Sequence, residues 1–424
     1  MPLWRRQTAV LAGAAALGSL WLAAPALGAA DHSLGDGSSA DNDRLLPGLY
    51  PEDPVLASSQ GLDEPSNPFF DASYSLALRG SYAKVSDEER FEVRLVPTVG
   101  FEHIGTRSGI NLDASAEVVR PLADDETIDI SALRLDLEAG YALDSVTQAT
   151  FDAELALGRS IAGTPGLDLD IITAPQTVVG VAELGLTRQF GKFNVGVTGS
   201  VERNVYGQTE LINDSFQDNS DQNYWSFDTG LRVGLQATPI WEVFGQANAG
   251  RDVLDVGESS STDTSLRGGV VGRWGTVLEA SASTGLGLRR FADADTGEVV
   301  TQLYDAQVTF APDPTWRMTA GLETSVAPPG PEGSGTARVD YTANAEVGYT
   351  VNSWLALRAL ADWSTSRFEE SDDTETGYSL GAGADYTLNA HTDLSADYDY
   401  ERADTTDNGA QEAHRVTLGV TLSR

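Results

Sequence analysis

From Phe70 to the C-terminus, apolar and polar residues alternate along the chain with a period of two. The pattern is clearest in Phe91–Glu102, Trp316–Val326, Tyr341–Tyr349 and Val416–Leu422. A period of two is typical of β-strands with one apolar face, so it predicts strands rather than helices over this whole region. A soluble sandwich of two sheets also alternates in this way, so the connections between the strands have to distinguish the two folds.

The connections between the predicted strands are alternately short and long. The short ones are Gln189–Lys192, Ala237–Ile240, Arg273–Thr276, Ala311–Thr315, Val351–Trp354 and Thr387–Thr392. The long ones are Arg159–Thr177, Tyr206–Tyr224, Arg251–Ser265, Arg289–Val299, Ala327–Ala337, Arg367–Gly377 and Glu401–His414. Outer-membrane barrels have short periplasmic turns and longer extracellular loops. The sequence therefore predicts an all-β, closed antiparallel transmembrane β-barrel of about 18 strands, with 16 left open by the less regular early region.

Three further features of the strands are expected. Lipid cannot satisfy free backbone groups, so the first strand, near Asp71–Ser81, is expected to pair with the last, His414–Ser423. An even strand number places both chain ends on the periplasmic side. Pro97 lies inside a predicted strand, where it cannot donate a ladder hydrogen bond, and a β-bulge is expected there.

Aromatic residues lie next to both kinds of connection, which indicates two membrane interfaces. Those near the short turns are Phe101, Tyr141, Phe190, Phe193, Trp241, Trp274, Phe310, Trp316, Tyr349, Trp354 and Tyr386. Those near the long loops are Tyr82, Phe91, Tyr206, Trp225, Phe291, Trp363, Tyr378 and Tyr400. The alternative is that they are ordinary strand-end aromatics of a soluble β-protein.

The N-terminal residues differ from the rest of the chain. Arg5 and Arg6 precede an alanine-rich apolar stretch, and small residues at Gly28 and Ala30 indicate cleavage before Asp31, as in a secretory signal peptide. We therefore expect residues 1–30 to be a signal peptide and 31–68 an acidic periplasmic tail rich in Pro and Gly. Residues 69–424 then form the barrel, located in the outer membrane.

Composition excludes several classes of function. The formal net charge is −36, which is the wrong sign for a nucleic-acid-binding protein. There are 0 cysteines, so disulfides and thiolate metal sites are excluded. Only four histidines occur, none in a convincing arrangement with a nucleophile, and an enzyme is not expected. No phosphate-binding glycine loop is found, and neither a cofactor nor a metal site is predicted.

The polar parity of the predicted strands should face the lumen, because an outward Arg or Lys at the bilayer midplane would cost roughly 2–4 kcal/mol. The predicted pore-lining residues are Arg79, Glu92, Arg94, Glu117, Arg134, Asp136, Glu154, Asp228, Arg232, Glu242, Arg267, Arg317, Glu323, Arg338, Asp340, Arg358, Asp362, Asp385 and Arg415. Acids exceed bases on this parity, which favours a mildly cation-selective pore. The alternative is that these charges only fill and hydrate the barrel.

The start of the barrel region resembles the outer-membrane β-barrel porins common in alphaproteobacteria. The resemblance is carried by Asn67-Pro68-Phe69-Phe70-Asp71 and by Leu78-Arg79-Gly80-Ser81-Tyr82, and by the strand architecture over residues 65–424. The chain departs from many such barrels at its end, because Leu422-Ser423-Arg424 lacks a terminal aromatic residue. The resemblance implies a porin-like pore for passive diffusion of ions and small hydrophilic solutes. Some related barrels serve exopolysaccharide export, so an export conduit and a purely structural barrel remain alternatives.

The partners expected on this basis are outer-membrane lipids and lipopolysaccharide, small hydrophilic solutes and the barrel-assembly machinery during insertion. An export conduit would also need periplasmic export partners. No nucleic acid is expected.

Overall fold

The structure is a computed structural model that describes residues 70–424, except 86–87, 123–128, 160–164, 166–170, 213–214, 257–259, 293–296, 330–334 and 407–408. The predicted signal peptide and periplasmic tail lie outside the described residues. Among these residues, no helix is long and apolar enough to cross a membrane.

The described chain forms 18 long strands in one sheet, which confirms the higher of the two predicted numbers. They are β1 Asp71–Val85, β2 Glu88–Ile104, β3 Ser108–Pro121, β4 Asp129–Asp144, β5 Thr147–Arg159, β6 Gln176–Phe190, β7 Phe193–Tyr206, β8 Tyr224–Gln236, β9 Trp241–Leu254, β10 Ser261–Trp274, β11 Leu278–Phe291, β12 Glu298–Asp313, β13 Trp316–Ala327, β14 Ala337–Asn352, β15 Leu355–Glu369, β16 Thr374–Asn389, β17 Thr392–Thr405 and β18 Gly409–Ser423.

Each strand pairs antiparallel with its neighbours in the chain, and the first strand pairs with the last. In that closing pair Ser75 lies opposite Ser423 and Val85 lies opposite Ala413. Backbone hydrogen bonds between Tyr74 and Arg424 extend the pair at 3.0 and 3.2 Å. The predicted closure is therefore confirmed, and it leaves no edge strand in the main sheet.

A repeated side-chain contact explains four of the short turns. Asp144, Asp313, Asn352 and Asn389 each end an even-numbered strand. In each, the side-chain oxygen accepts a hydrogen bond from the backbone N–H two residues later, at 2.8, 2.8, 3.0 and 2.9 Å. This Asx-type contact reverses the chain locally, which is why Asp or Asn is suited to these positions.

The bulge predicted at Pro97 is wrong. Pro97 lies opposite Leu76 in an uninterrupted ladder with β1, and the ladder with β3 resumes in the same register beyond it. The irregularity occurs one strand pair further on, between Glu117 and Val118 of β3. There the extra residue is Ser131, whose hydroxyl donates to the Glu117 carboxylate at 2.9 Å. A proline can be accommodated because its missing N–H affects only one of the two ladders.

The outward face carries two rows of aromatic residues, in agreement with most of the sequence-based prediction. Near the short turns, Trp316 stacks on Tyr349 at 4.4 Å between ring centroids and Trp241 meets Trp274 edge-on at 5.1 Å. Near the long loops, Tyr82 contacts Phe91 at 4.9 Å. Two members are placed wrongly by the sequence analysis: register puts Tyr206 and Phe291 on the inward parity.

Parts of two long loops form a second, three-stranded sheet. Ile171–Thr173 pairs with Thr209–Leu211, which in turn pairs with Phe216–Gln217. Asn219 is 2% exposed, and its amide donates to Gly207 O and to Thr209 Oγ1 at 2.8 Å each. These contacts connect the loop after β5 to the loop after β7.

Candidate functional site

The two faces of the barrel wall are chemically opposite. Large apolar side chains of one parity are widely exposed, as shown by Leu266 at 68%, Leu286 at 61% and Leu418 at 62%. The other parity carries the charged side chains, and these form ion pairs across two or three consecutive strands. Since charges are costly in lipid, the charged parity is the lumen side.

Register places all of the predicted pore-lining residues on this inward parity. Many of them meet in four groups of ion pairs, described next.

The first group surrounds the closing strands. Arg358 of β15 forms ion pairs with Asp385 of β16 and with Asp397 of β17. Arg79 of β1 interacts electrostatically with Asp397 and Glu117. A single guanidinium thus bridges three strands, which aligns the carboxylates along one part of the inner wall.

The adjoining strands extend this group. Arg94 of β2 contacts Glu92 at 2.5 Å and Glu117 of β3 at 3.3 Å. Next, Arg134 of β4 contacts Asp136 at 2.9 Å and Glu154 of β5 at 3.1 Å. Both arginines have an acid on their own strand and one on a neighbour, so the pairs also link the strands laterally.

A second group lies near the short turns of β8–β11. Glu242 accepts ion pairs from Arg232 at 2.8 Å and from Arg273 at 3.1 Å. Arg273 also reaches Glu279 at 3.0 Å, and the Arg232 guanidinium lies 4.2 Å from the ring centroid of Phe244. Arg273 is not among the predicted pore-lining residues, because the sequence pattern places it in a short turn, whereas it lies at the end of β10.

The third group is buried beneath the long loops. Arg289 of β11 is 3% exposed and contacts Asp252 at 2.6 Å and Asp263 at 3.2 Å. The sequence analysis placed Arg289 and the two acids in or beside long loops. Strict alternation continued from Ser281 would have identified Arg289 as an inward residue.

The fourth group connects opposite parts of the wall. Arg338 of β14 contacts Asp340 at 2.9 Å, and the Ser366 hydroxyl donates to Asp340 at 2.6 Å. Arg338 also interacts electrostatically with Tyr206 of β7 and Tyr224 of β8. Because β7 and β14 lie seven positions apart in the sheet, this interaction acts across the interior, and Tyr224 and Arg338 are only 6% and 7% exposed. We call Tyr206, Tyr224 and Arg338 the narrow zone.

Some inner acids lie beside other acids. Glu138 interacts with Asp152 and Asp113, and Glu183 interacts with Asp152. On β12 and β13, Asp305 lies directly opposite Glu323. Carboxylates therefore exceed guanidinium groups on these parts of the wall, and like charges at such positions raise the local negative potential.

The three histidines of the described part of the chain lie at strand ends and turns. His103 stacks on Phe70 at 4.7 Å, His391 Nδ1 lies 3.1 Å from Ser423 O, and His414 Nδ1 lies 2.8 Å from the Tyr398 hydroxyl. Within the same described ranges, no group of His, Asp and Glu has the arrangement of a metal site.

Comparison with known proteins bears on the family and the fold. A family model described as "Putative beta-barrel porin 2" matches residues 105–424. No curated protein matches the chain. Similar solved structures include the outer membrane protein OpdK of Pseudomonas aeruginosa, at 12% identity and a TM-score of 0.42 over 84% of this chain and 99% of that one. OccAB4 of Acinetobacter baumannii also matches at 12% identity, with a TM-score of 0.41 over 84% and 98% of the respective chains.

Proposed function

This chain belongs to the family described as "Putative beta-barrel porin 2", and from that premise we propose that it is a porin-like pore of the outer membrane for small hydrophilic solutes, with a preference for cations. The observation that carries the proposal is the inner wall, where charged side chains follow one parity around the barrel. Such a lining keeps water in the lumen, and an excess of carboxylates concentrates cations there.

The narrow zone is proposed to limit conductance. Tyr206 and Tyr224 are large side chains on the inward parity, and both interact electrostatically with Arg338 across the interior. Ion passage past such a point depends on the free cross-section and on the fixed charge that lines it. Removal of a ring should widen the path, whereas removal of the guanidinium should make the lining more negative.

The proposal is tested by single-channel recording of the refolded protein in a planar bilayer, in potassium chloride. We expect steady ohmic steps, and under a salt gradient a reversal potential displaced toward that of potassium. Tyr206→Ala should raise the conductance, while Val205→Ala, its neighbour on the outward parity, should leave it unchanged. Arg338→Gln should displace the reversal potential further toward that of potassium.

Silence from protein that is folded by heat-modifiable gel mobility would refute passive diffusion. Exopolysaccharide export and a structural role would then be the favoured hypotheses. Equal effects of Tyr206→Ala and Val205→Ala would refute the role of the narrow zone but not the pore.

A further inference from the structure

Most basic residues of the outward face lie in one place, the loop ends of the strands. Strands β1, β3, β5, β7, β9, β11, β15 and β17 run toward the end of the barrel that carries the long loops. Each carries one outward Lys or Arg within its last four residues. These residues are Lys84, Arg120, Arg159, Arg203, Arg251, Arg290, Arg367 and Arg402. We call this set the basic rim.

The other end of the outward face, near the short turns, carries fewer basic residues. Near the short turns, Arg188 of β6 is outward, and Arg107 and Lys192 lie in the turns themselves. Between the two ends the outward face is apolar, as at Leu266 and Leu286. A chain with a net charge of −36 therefore gathers outward cations at one interface, where they outnumber outward acids such as Glu89, Glu298 and Glu412. General solubility does not require this asymmetry.

The basic rim lies at the depth of the loop-side aromatic row. The Arg203 guanidinium is 5.1 Å from the Trp225 ring centroid, and that of Arg367 is 5.9 Å from the Tyr341 ring centroid. Aromatic rings of this kind mark the headgroup level of a bilayer. The guanidinium groups are thus positioned beside lipid headgroups.

Part of the basic rim is already neutralised, and part is open to a ligand. Arg203 contacts Asp255 at 2.5 Å, and Arg290 contacts Glu298 at 2.9 Å. Arg120, Arg251 and Arg367 are exposed, and no acidic side chain in the described part of the chain forms an ion pair with them. Guanidinium groups bind phosphate oxygens in a bidentate manner, which fits an anionic headgroup.

A groove beside Arg402 supplies hydroxyl groups at the same level. It has a volume of about 610 Å³ and is lined by Thr376, Tyr378, Thr406 and Asp404 as well as Arg402. Hydroxyl side chains donate and accept hydrogen bonds, so they suit sugar hydroxyls next to a phosphate. The rim therefore combines charge for phosphate with hydrogen-bonding groups for a sugar.

We propose that the basic rim binds the phosphorylated glucosamine headgroups of lipopolysaccharide in the outer leaflet of the outer membrane. The long loops of a barrel face the cell exterior, so the rim lies in the leaflet that contains this glycolipid. The interaction is separate from the pore, because every rim residue faces away from the lumen.

The test titrates the refolded full chain, in detergent micelles, with diphosphorylated lipid A and measures affinity by native mass spectrometry. The rim variant carries Arg120→Gln, Arg251→Gln and Arg367→Gln. A basic residue near an anionic surface contributes about fivefold in affinity, so the triple variant should bind roughly 100-fold more weakly. If the triple variant does not fold, Arg251→Gln alone should lose about fivefold.

The matched control removes three cations from the other end, as Arg107→Gln, Arg188→Gln and Lys192→Gln, and should bind lipid A normally. Fully dephosphorylated lipid A and phosphatidylglycerol should bind the parent protein at least tenfold more weakly. Equal losses in both triple variants, no loss in the rim variant, or equal binding of dephosphorylated lipid A would each overturn the proposal. Single-channel conductance should be the same in both triple variants and the parent.

Discussion

The assignment of the two faces makes a quantitative prediction about stability. Leu266 lies near the middle of β10, opposite Leu286 of β11, and is 68% exposed on the outward face. Leu266→Arg would place a guanidinium in the hydrocarbon. Ser283→Arg on β11 is the matched control, because Ser283 is inward and lies opposite Asp305. Its other cross-strand partner is Gly269, over which the Phe244 ring lies.

The two substitutions should change the folding free energy by different amounts and in opposite directions. An outward Arg at the bilayer midplane costs roughly 2–4 kcal/mol of folding free energy. This corresponds to about a 30- to 700-fold change in the unfolding equilibrium constant. The inward Arg gains an opposite charge directly across the strand pair, which contributes roughly 0.2–1 kcal/mol. Ser283→Arg should therefore be neutral or slightly stabilising.

Reversible urea unfolding in phospholipid vesicles, followed by tryptophan fluorescence, measures both variants against the parent. The difference in unfolding free energy at equal slope gives the two costs directly. Equal destabilisation by the two arginines would refute the assignment of the faces. A larger cost for Ser283→Arg would mean that the lumen is packed too tightly to accept a side chain there.

Three other perturbations have defined outcomes. Arg358→Gln leaves Asp385 and Asp397 without their shared cation, so the reversal potential should move further toward that of potassium. The hydrogen bond from Arg203 holds the pKa of Asp255, in the loop after β9, below its usual range. This ion pair should stabilise the loop above about pH 4, and the stabilisation should be lost as pH falls through the lowered pKa. Arg203→Gln should return the pKa of Asp255 to about 4, as measured by NMR titration of the carboxyl group. Gly335 has φ +79°, and a Cβ there would clash with the backbone carbonyl oxygen of Glu369, so Gly335→Ala should destabilise the protein by about 1–2 kcal/mol in urea unfolding.

Strand number and closure could be predicted from the sequence because both depend on local alternation and on turn length. The alternation in Val416–Leu422 fixes the faces of β18, and closure then requires only that lipid tolerates no free edge. The Asx-type turns could also be predicted from the sequence. An Asp or Asn ends the strand before four of the short turns, at Asp144, Asp313, Asn352 and Asn389.

Contacts between distant strands could not be predicted in this way. Parity assigns Arg338 to the lumen but does not say that it interacts with Tyr206, because that depends on how strands far apart in the chain face each other across the interior. The two aromatic residues that were predicted on the wrong face, Tyr206 and Phe291, have one cause in common. Both residues were assigned to the outward row by their closeness to a loop, whereas parity counted along the strand places them inside.

Adjacent arginines of β11 show why the register must be unique. Arg289 is inward, 3% exposed and bound to Asp252 and Asp263, whereas Arg290 is outward, 61% exposed at its side chain and bound to Glu298. A slip of one residue would exchange their faces and carry Leu288 and Leu286 into the lumen. The slip would remove two carboxylate partners from one arginine and one from the other. The same register that gives the lumen its carboxylates therefore also gives the lipid-facing rim its cations, so a shift that changes one surface also changes the other.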